Sequence, residues 1–243
     1  MALQNLTPSK AKKMFTQFKN QIRFLLAIVT FFTCLLTYAQ EIGTISRVSG
    51  EATITSLDNE TRPVAARGKV NKGDSVKTAN ESEVLVRLKD NSTMLVRAKS
   101  LVKFTEFSFE KQASDTAKTD VLAGTLRAVS GQIAKGQPDN VKYSAGTATI
   151  GIRGTDIELA IIEEGQSDRA GIYNYVHSGE TSMTLSSGET ANVERELTGF
   201  TPTNPTPGEP LLQILRDRPA FLQIGIFDAL LQQLTAPRIP AIR

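Results

Sequence analysis

The stretch Glu83–Ala98 reads EVLVRLKDNSTMLVRA. Val84, Val86 and Leu88 fall on one face at period two, Asp90-Asn91-Ser92 supplies a turn, and Met94 and Val96 return on one face. Two alternating runs about such a turn specify a β-hairpin. The same pattern repeats outward from it. Leu101–Glu110 (LVKFTEFSFE) sets Val102 and Phe104 on one face but Phe107 and Phe109 on the other, so a bulge near Thr105-Glu106 is needed to turn all four inward. Thr155–Ile162 (TDIELAII) aligns Ile157, Leu159 and Ile161, and Ile172–His177 and Thr181–Ser186 alternate likewise, joined across Ser178-Gly179-Glu180. Glycines recur between the runs, among them Gly50, Gly124, Gly146 and Gly188. No long 3.6-residue period appears between residues 41 and 198, and no fixed-period repeat is present. The fold class is therefore all-β, with short antiparallel strands in a twisted sandwich or a solenoid-like array.

A chain of 243 residues with 40% hydrophobic and 22% charged residues has the composition of a globular protein and is long enough for one sizeable core. Its net charge of +3 is misleading. Residues 1–39 hold Lys10, Lys12, Lys13, Lys19 and Arg23 and no acid; without those five, 23 basic residues face 25 acidic ones. A basic face on the folded part, which binding to nucleic acid requires, is not indicated.

Residues 1–39 read as an export signal. Met1–Arg23 is basic, and Phe24–Ala39 (FLLAIVTFFTCLLTYA) is an uncharged, mostly apolar run of 16 residues. That is short for a membrane span, which needs about 20 residues. Thr37 and Ala39 are small residues at the positions a signal peptidase reads, so cleavage is expected between Ala39 and Gln40. The alternative is a retained signal anchor, with the lysines holding the N-terminus in the cytoplasm. Either topology places the domain outside the cytoplasm, in the periplasm or beyond, and the membrane is involved only through an uncleaved leader. Cys34 is the sole cysteine and lies within this run, so the part after it has no thiolate for catalysis or zinc and no disulfide.

Six features in order, from about Ile42 to Glu194, resemble the FecR domain. They are Val48-Ser49-Gly50 with Ala52–Thr55; Gly73-Asp74 followed by Thr78; the Asp90-Asn91-Ser92 hairpin; Leu122–Leu126 around Gly124; Ile152-Arg153-Gly154-Thr155 leading into a strand; and the closing pairs His177-Ser178-Gly179 and Ser187-Gly188-Glu189. At Asn91 the family has Gly; Asn also tolerates left-handed backbone. The resemblance implies a cell-envelope domain that binds partners and does no chemistry. FecR-like proteins of the best-known kind are membrane-spanning regulators of iron-uptake signalling, with a cytoplasmic segment acting on a sigma factor and an outer part contacting a TonB-dependent transducer. Here the 23 residues before the apolar run are too few for a folded anti-sigma domain, and the region after the β-domain does not resemble the second subdomain of such regulators. The better comparison is the stand-alone exported FecR domain, with a protein or envelope glycan as partner and no cofactor or metal.

The expected organisation is a leader over 1–39, a FecR-like β-domain over 40–197, a Pro-rich linker over 198–210 (TGFTPTNPTPGEP) and a helical tail over 211–243. Proline-rich sequence resists helix and central strand, whereas Pro210 suits the first turn of a helix over Leu211–Asp217. After Pro219, Phe221, Ile224, Phe227 and Leu231 recur at helical spacing. This amphipathic stripe either packs on the β-domain or docks a partner or membrane surface.

No catalytic constellation is legible. His177 is the only histidine, Glu163-Glu164 opens a polar turn, and no phosphate-binding loop or zinc spacing occurs. Arg153, between Gly151 and Gly154, is the charged residue that stands out. It either binds a carboxylate or phosphate of a ligand or bonds to its own fold at Asp156 or Asp74.

Overall fold

A computed structural model describes residues 17–19, 21, 40–166, 168–222, 227–229 and 231. The chain divides into two compact units, Met1–Ala39 and Gln40–Arg243. In the first, Gln17, Phe18, Lys19 and Gln21 are helical. The expected apolar run 24–39, with Ala39, lies outside the described residues, as does Ile224.

The second unit is one mixed sheet of 15 strands. In chain order these are β1 Glu41–Ser49, β2 Ala52–Thr55, β3 Thr61–Pro63, β4 Lys69–Asn71, β5 Ser75–Thr78, β6 Glu83–Leu88, β7 Thr93–Val96, β8 Leu101–Ser108, β9 Thr116–Val129, β10 Val141–Ala145, β11 Ala148–Ile162, β12 Gly171–Leu185, β13 Thr190–Val193, β14 Thr198–Pro202 and β15 Gln213–Leu215. A five-residue helix, Gln132–Gly136, and a 3-10 turn, Pro138–Asn140, connect β9 to β10.

The hairpin that decides the fold is β6–β7, with Val84 opposite Val96 and Val86 opposite Met94. Asn91 takes φ 66° in its turn, and Asp90 Oδ1 accepts hydrogen bonds from Ser92 N at 3.0 Å and Ser92 Oγ at 2.6 Å. The bulge expected in β8 is present as a register shift between Lys103 and Glu106, and it leaves both Phe104 and Phe107 buried.

Three strands do more than their sequence pattern foretells. β9, β11 and β12 are 14, 15 and 15 residues long, and each changes neighbours along its length. β9 begins beside β8 and β10 and ends beside β7 and β11. β11 leaves β10 for β9, and β12 leaves β14 for β13. Each holds a glycine with positive φ in its interior: Gly124 at 73°, Gly154 at 64° and Gly179 at 80°. The turn expected at Ser178-Gly179-Glu180 and the stretch from Gly151 to Gly154 are thus bends inside continuous strands. A left-handed glycine redirects the strand while the ladder holds on either side. In β11 the ladder with β12 shifts register between Arg153 and Asp156, at the bend.

Through these bends the sheet folds back on itself. Ile54, Val76, Phe104, Ile150 and Met183 of one half and Ile45, Val84, Val86 and Met94 of the other join a single buried core. The architecture is a sandwich made from one sheet.

The second half, containing β6, β7 and β14, is covered on both faces. Leu85, Leu95, Arg127, Glu158, Tyr175, Thr198 and Leu215 stand side by side across seven strands on its outer face. All are buried except Leu215, which is half-buried.

Two expectations for the region after residue 197 are corrected. Thr198–Pro202 is a fully buried strand between β12 and β15, and Gln213–Leu215 is a strand where a helix was expected. Pro202 sits at the last position of β14, where a missing N–H costs least. A helix over 211–217 would leave the β14 edge unpaired, and β15 covers it. The Pro-rich loop between them is tied down as well. Arg169 Nη1 and Nη2 donate to the two oxygens of Glu209, each at 2.6 Å, and the Arg169 guanidinium lies 5.5 Å from the centre of the Phe200 ring.

Candidate functional site

The outer face of the second half carries a cluster of charges that lone strand residues do not advertise. Arg97 follows β7, and its Nε donates to Glu158 Oε1 of β11 at 2.5 Å. Its Nη1 donates to Glu83 Oε1 of β6 at 3.2 Å. Its Nη1 and Nη2 also donate to Asp228 Oδ2 and Oδ1 at 2.9 and 3.0 Å. Arg127 of β9 donates twice to Asp156, at 3.0 and 2.7 Å, and once to Asp228 Oδ1 at 2.6 Å. Glu158 Oε2 faces His177 Nε2 at 3.0 Å and accepts from Arg218 Nη2 at 3.3 Å. Glu158 is 0% exposed and Asp228 2%. Charges this deep persist only when paired and hydrogen-bonded.

Burial opposes the charge on Arg97, Arg127 and Glu158, and their partners overcome it. Burial pulls Arg97 down, but its hydrogen bonds to Asp228 and the charges of Glu158 and Asp228 hold it above its ordinary value. Arg127 is raised in the same way against burial, by Asp156 and then Asp228. Glu158 is pushed up by burial, yet His177 and Arg97 bring it below the usual carboxylate range. Arg97, Arg127 and Glu158 are therefore ionised near neutrality.

The chain after β15 covers this cluster. Phe227 N donates to Glu83 Oε2 at 3.0 Å, and Leu231 N closes a helical turn on Phe227 O at 2.8 Å. Leu231 and Phe227 pack with Leu85, Leu95 and Val129. Leu222 and Phe221 pack with Tyr173, Tyr175 and Phe200, the Tyr173 and Phe221 rings meeting edge-on at 5.0 Å. The Arg218 guanidinium lies 5.5 Å from the centre of the Tyr175 ring. Of the expected docking stripe, Phe221, Phe227 and Leu231 thus seat on the chain's own sheet.

The residues singled out by the FecR resemblance divide sharply. Asp74 is buried, and its Oδ2 accepts from Asn71 N at 2.8 Å. Gly73 takes φ 88°, and its N–H donates to Phe104 O at 2.7 Å. Asp90 ties the β6–β7 turn, Ile152 is in the core, Gly154 makes the β11 bend, and Thr155 is buried beside it. These residues hold the fold. Arg153 does not: it is exposed and, among the described residues, its side chain makes no hydrogen bond or ion pair. Neither intramolecular partner expected for it is available. Asp156 is taken by Arg127, and the guanidinium near Asp74 is Arg62 at 3.7 Å. Arg153 borders a shallow cleft of about 190 Å³ with Asp139, Gly151, Glu180, Ser182 and Asn192.

His177 sits at the edge of the charged cluster, its ring edge-on to Tyr175, and among the described residues no hydroxyl bonds to it. Among the described residues no group of three His, Cys, Asp or Glu side chains is placed to hold a metal, and no helix is long and apolar enough to cross a membrane.

Fold and site together define an all-β module whose outer sheet face is occupied by its own C-terminal segment. Residues 74–174 match the family model described as FecR protein. Among solved structures, two of a protein provisionally assigned as an anti-sigma factor from Parabacteroides distasonis ATCC 8503 are similar. They are 12% and 11% identical, each with a TM-score of 0.46 and coverage of 59% of this chain. The match spans 59% of the length of those chains. A structure described as a cell surface anchoring domain matches with 23% identity and a TM-score of 0.27, over 27% of this chain and 87% of its own. No curated protein matches.

Proposed function

We propose that this chain is an exported, non-catalytic interaction module of FecR type in the bacterial cell envelope, binding a protein or an envelope glycan. The observation that carries this reading is the order of the sequence: a basic stretch, the apolar run Phe24–Ala39, and then a FecR-type domain whose first strand begins at Glu41. Arg153 adds to it. Its neighbours in the motif serve the fold while its guanidinium faces solvent unpaired, so it remains for a ligand carboxylate or phosphate.

A second reading is a membrane-anchored regulator that relays occupancy inward. The long basic region before the apolar run, with four lysines and Arg23, favours it. Intact mass and N-terminal sequencing of the protein recovered from the cell envelope separate the two. A chain starting at or near Gln40 supports the released module. A chain that keeps Met1 or its lysine-rich segment is anchored, and its cytoplasmic partner becomes the target. Crosslinking in intact envelopes followed by mass spectrometry then identifies what Arg153 touches.

A further inference from the structure

The C-terminal segment is bound to the sheet as a ligand would be. None of its described residues from Arg216 onward joins the main core. Its apolar side chains enter two satellite clusters, and its charges meet complementary groups on the sheet. Arg218 approaches Glu158, Asp228 is gripped by Arg97 and Arg127, and the Phe227 N–H reaches Glu83. The sheet arginines do not depend on it. With the segment gone, Arg97 keeps Glu158 at 2.5 Å, and Arg127 keeps both oxygens of Asp156 at 3.0 and 2.7 Å. An emptied face would be an amphipathic groove with its charges paired and its apolar residues Leu85, Leu95 and Val129 open. The resident fit is also imperfect: Arg218 Nε is buried with no acceptor among the described residues.

We propose that this face is a receptor for an amphipathic segment of a protein partner, and that Arg218, Phe221, Leu222, Phe227, Asp228 and Leu231 act as a resident competitor on it. The partner segment has an arginine upstream of an aromatic–Asp–x–x–Leu helical turn, the pattern set by Arg218, Phe227, Asp228 and Leu231. The aromatic and the leucine fill the Leu85–Leu95 patch, and the aspartate takes Arg97 bidentately and Arg127 through one further hydrogen bond, as Asp228 does. Displacement of a tethered segment is slow to start and effective only for a partner that matches both charges, so the tether sets specificity. This inference rests on the interaction-module reading but not on how the leader is processed. A retained leader would leave it intact.

The test uses the full chain and a fluorescein-labelled peptide spanning residues 218–234. In the double variant F227A/D228A the resident segment loses its anchors while the sheet face is unchanged. The peptide is expected to bind this variant at least tenfold more tightly than the unaltered chain, and the same peptide carrying D228A is expected to lose that gain. Dimers of the unaltered chain that the free peptide dissolves would overturn the partner assignment and make a second copy the occupant. The proposal is overturned if the variant keeps its β-sheet circular dichroism and the peptide binds it no better than the unaltered chain. It is equally overturned if the variant loses that spectrum, because the segment would then be part of the fold.

Discussion

Arg97 and Asp228 are joined by two parallel hydrogen bonds, at 2.9 and 3.0 Å, across 131 residues of chain. The two residues are not equivalent in this pair. Arg97 belongs to the sheet and neutralises Glu83 and Glu158 as well as Asp228. Removing it strands buried carboxylates, whereas removing Asp228 leaves each arginine with another acid. Arg97→Ala is therefore expected to cost ~4 kcal/mol and Asp228→Ala ~2 kcal/mol. Urea unfolding followed by far-ultraviolet circular dichroism measures both. Equal losses would show that the segment and the sheet form one cooperative ionic unit.

Acid sensitivity should trace to Glu158. Its pKa in the folded protein lies below its ordinary value of 4.5, because His177 and Arg97 outweigh burial. Such a group stabilises the fold fully above its unfolded pKa, and the contribution disappears as pH falls through the depressed folded value. Asp74 works in the opposite sense, since burial raises it. Glu158→Gln is expected to lower stability at pH 7 and to flatten the loss between pH 5 and pH 3. Thermal melts of both proteins across that window check it. Parallel curves would remove Glu158 from the acid limb.

The three bend glycines should rank by what surrounds them. A Cβ at Gly124 would lie 2.3 Å from Ser100 Oγ and 2.6 Å from Lys99 O, and one at Gly179 would lie 2.8 Å from Gly154 O. A Cβ at Gly154 would meet nothing within 4 Å. Gly154→Ala thus carries only the left-handed backbone penalty, ~1 kcal/mol, while Gly124→Ala adds a clash against backbone and is expected to cost ~3 kcal/mol. Denaturant midpoints decide the ranking. A larger loss at Gly154 would mean that the bend, not the packing, limits the fold.

The all-β class, the β6–β7 hairpin and the bulge in β8 are legible because a period of two with one buried face leaves a clear signature. The folding of one sheet into two layers is not, because a glycine with positive φ inside a strand reads the same as a glycine in a turn. The charged cluster is hidden for a related reason. Arg97, Arg127 and Glu158 each sit where an alternating strand would turn toward water. Leu85 and Leu95 on that same face were the available signal, since leucines on the polar face of two adjacent strands mean that something covers it. Thr198–Pro202 was hidden by the prolines at its end and beyond it, although Gly199-Phe200-Thr201 before them is an ordinary strand sequence.

Arg153 tests whether its motif acts through the fold or through a ligand. The flanking residues Ile152 and Thr155 are buried, and replacing them would disturb the core. Arg153 itself is exposed, and its register partner across the ladder, Glu180, makes no ion pair with it. Arg153→Ala is therefore expected to change stability by no more than about 0.5 kcal/mol, as for an isolated surface residue. If Arg153 meets an anionic group on a partner, the same substitution weakens that partner's crosslinking in the envelope while the melting temperature stays put. Arg153→Lys, which keeps the charge and loses the planar fork, then separates simple attraction from two-point recognition. Full retention with lysine indicates a point charge, and loss with both variants indicates a bidentate carboxylate or phosphate. A fall in melting temperature of several degrees for Arg153→Ala would instead return this arginine to the fold.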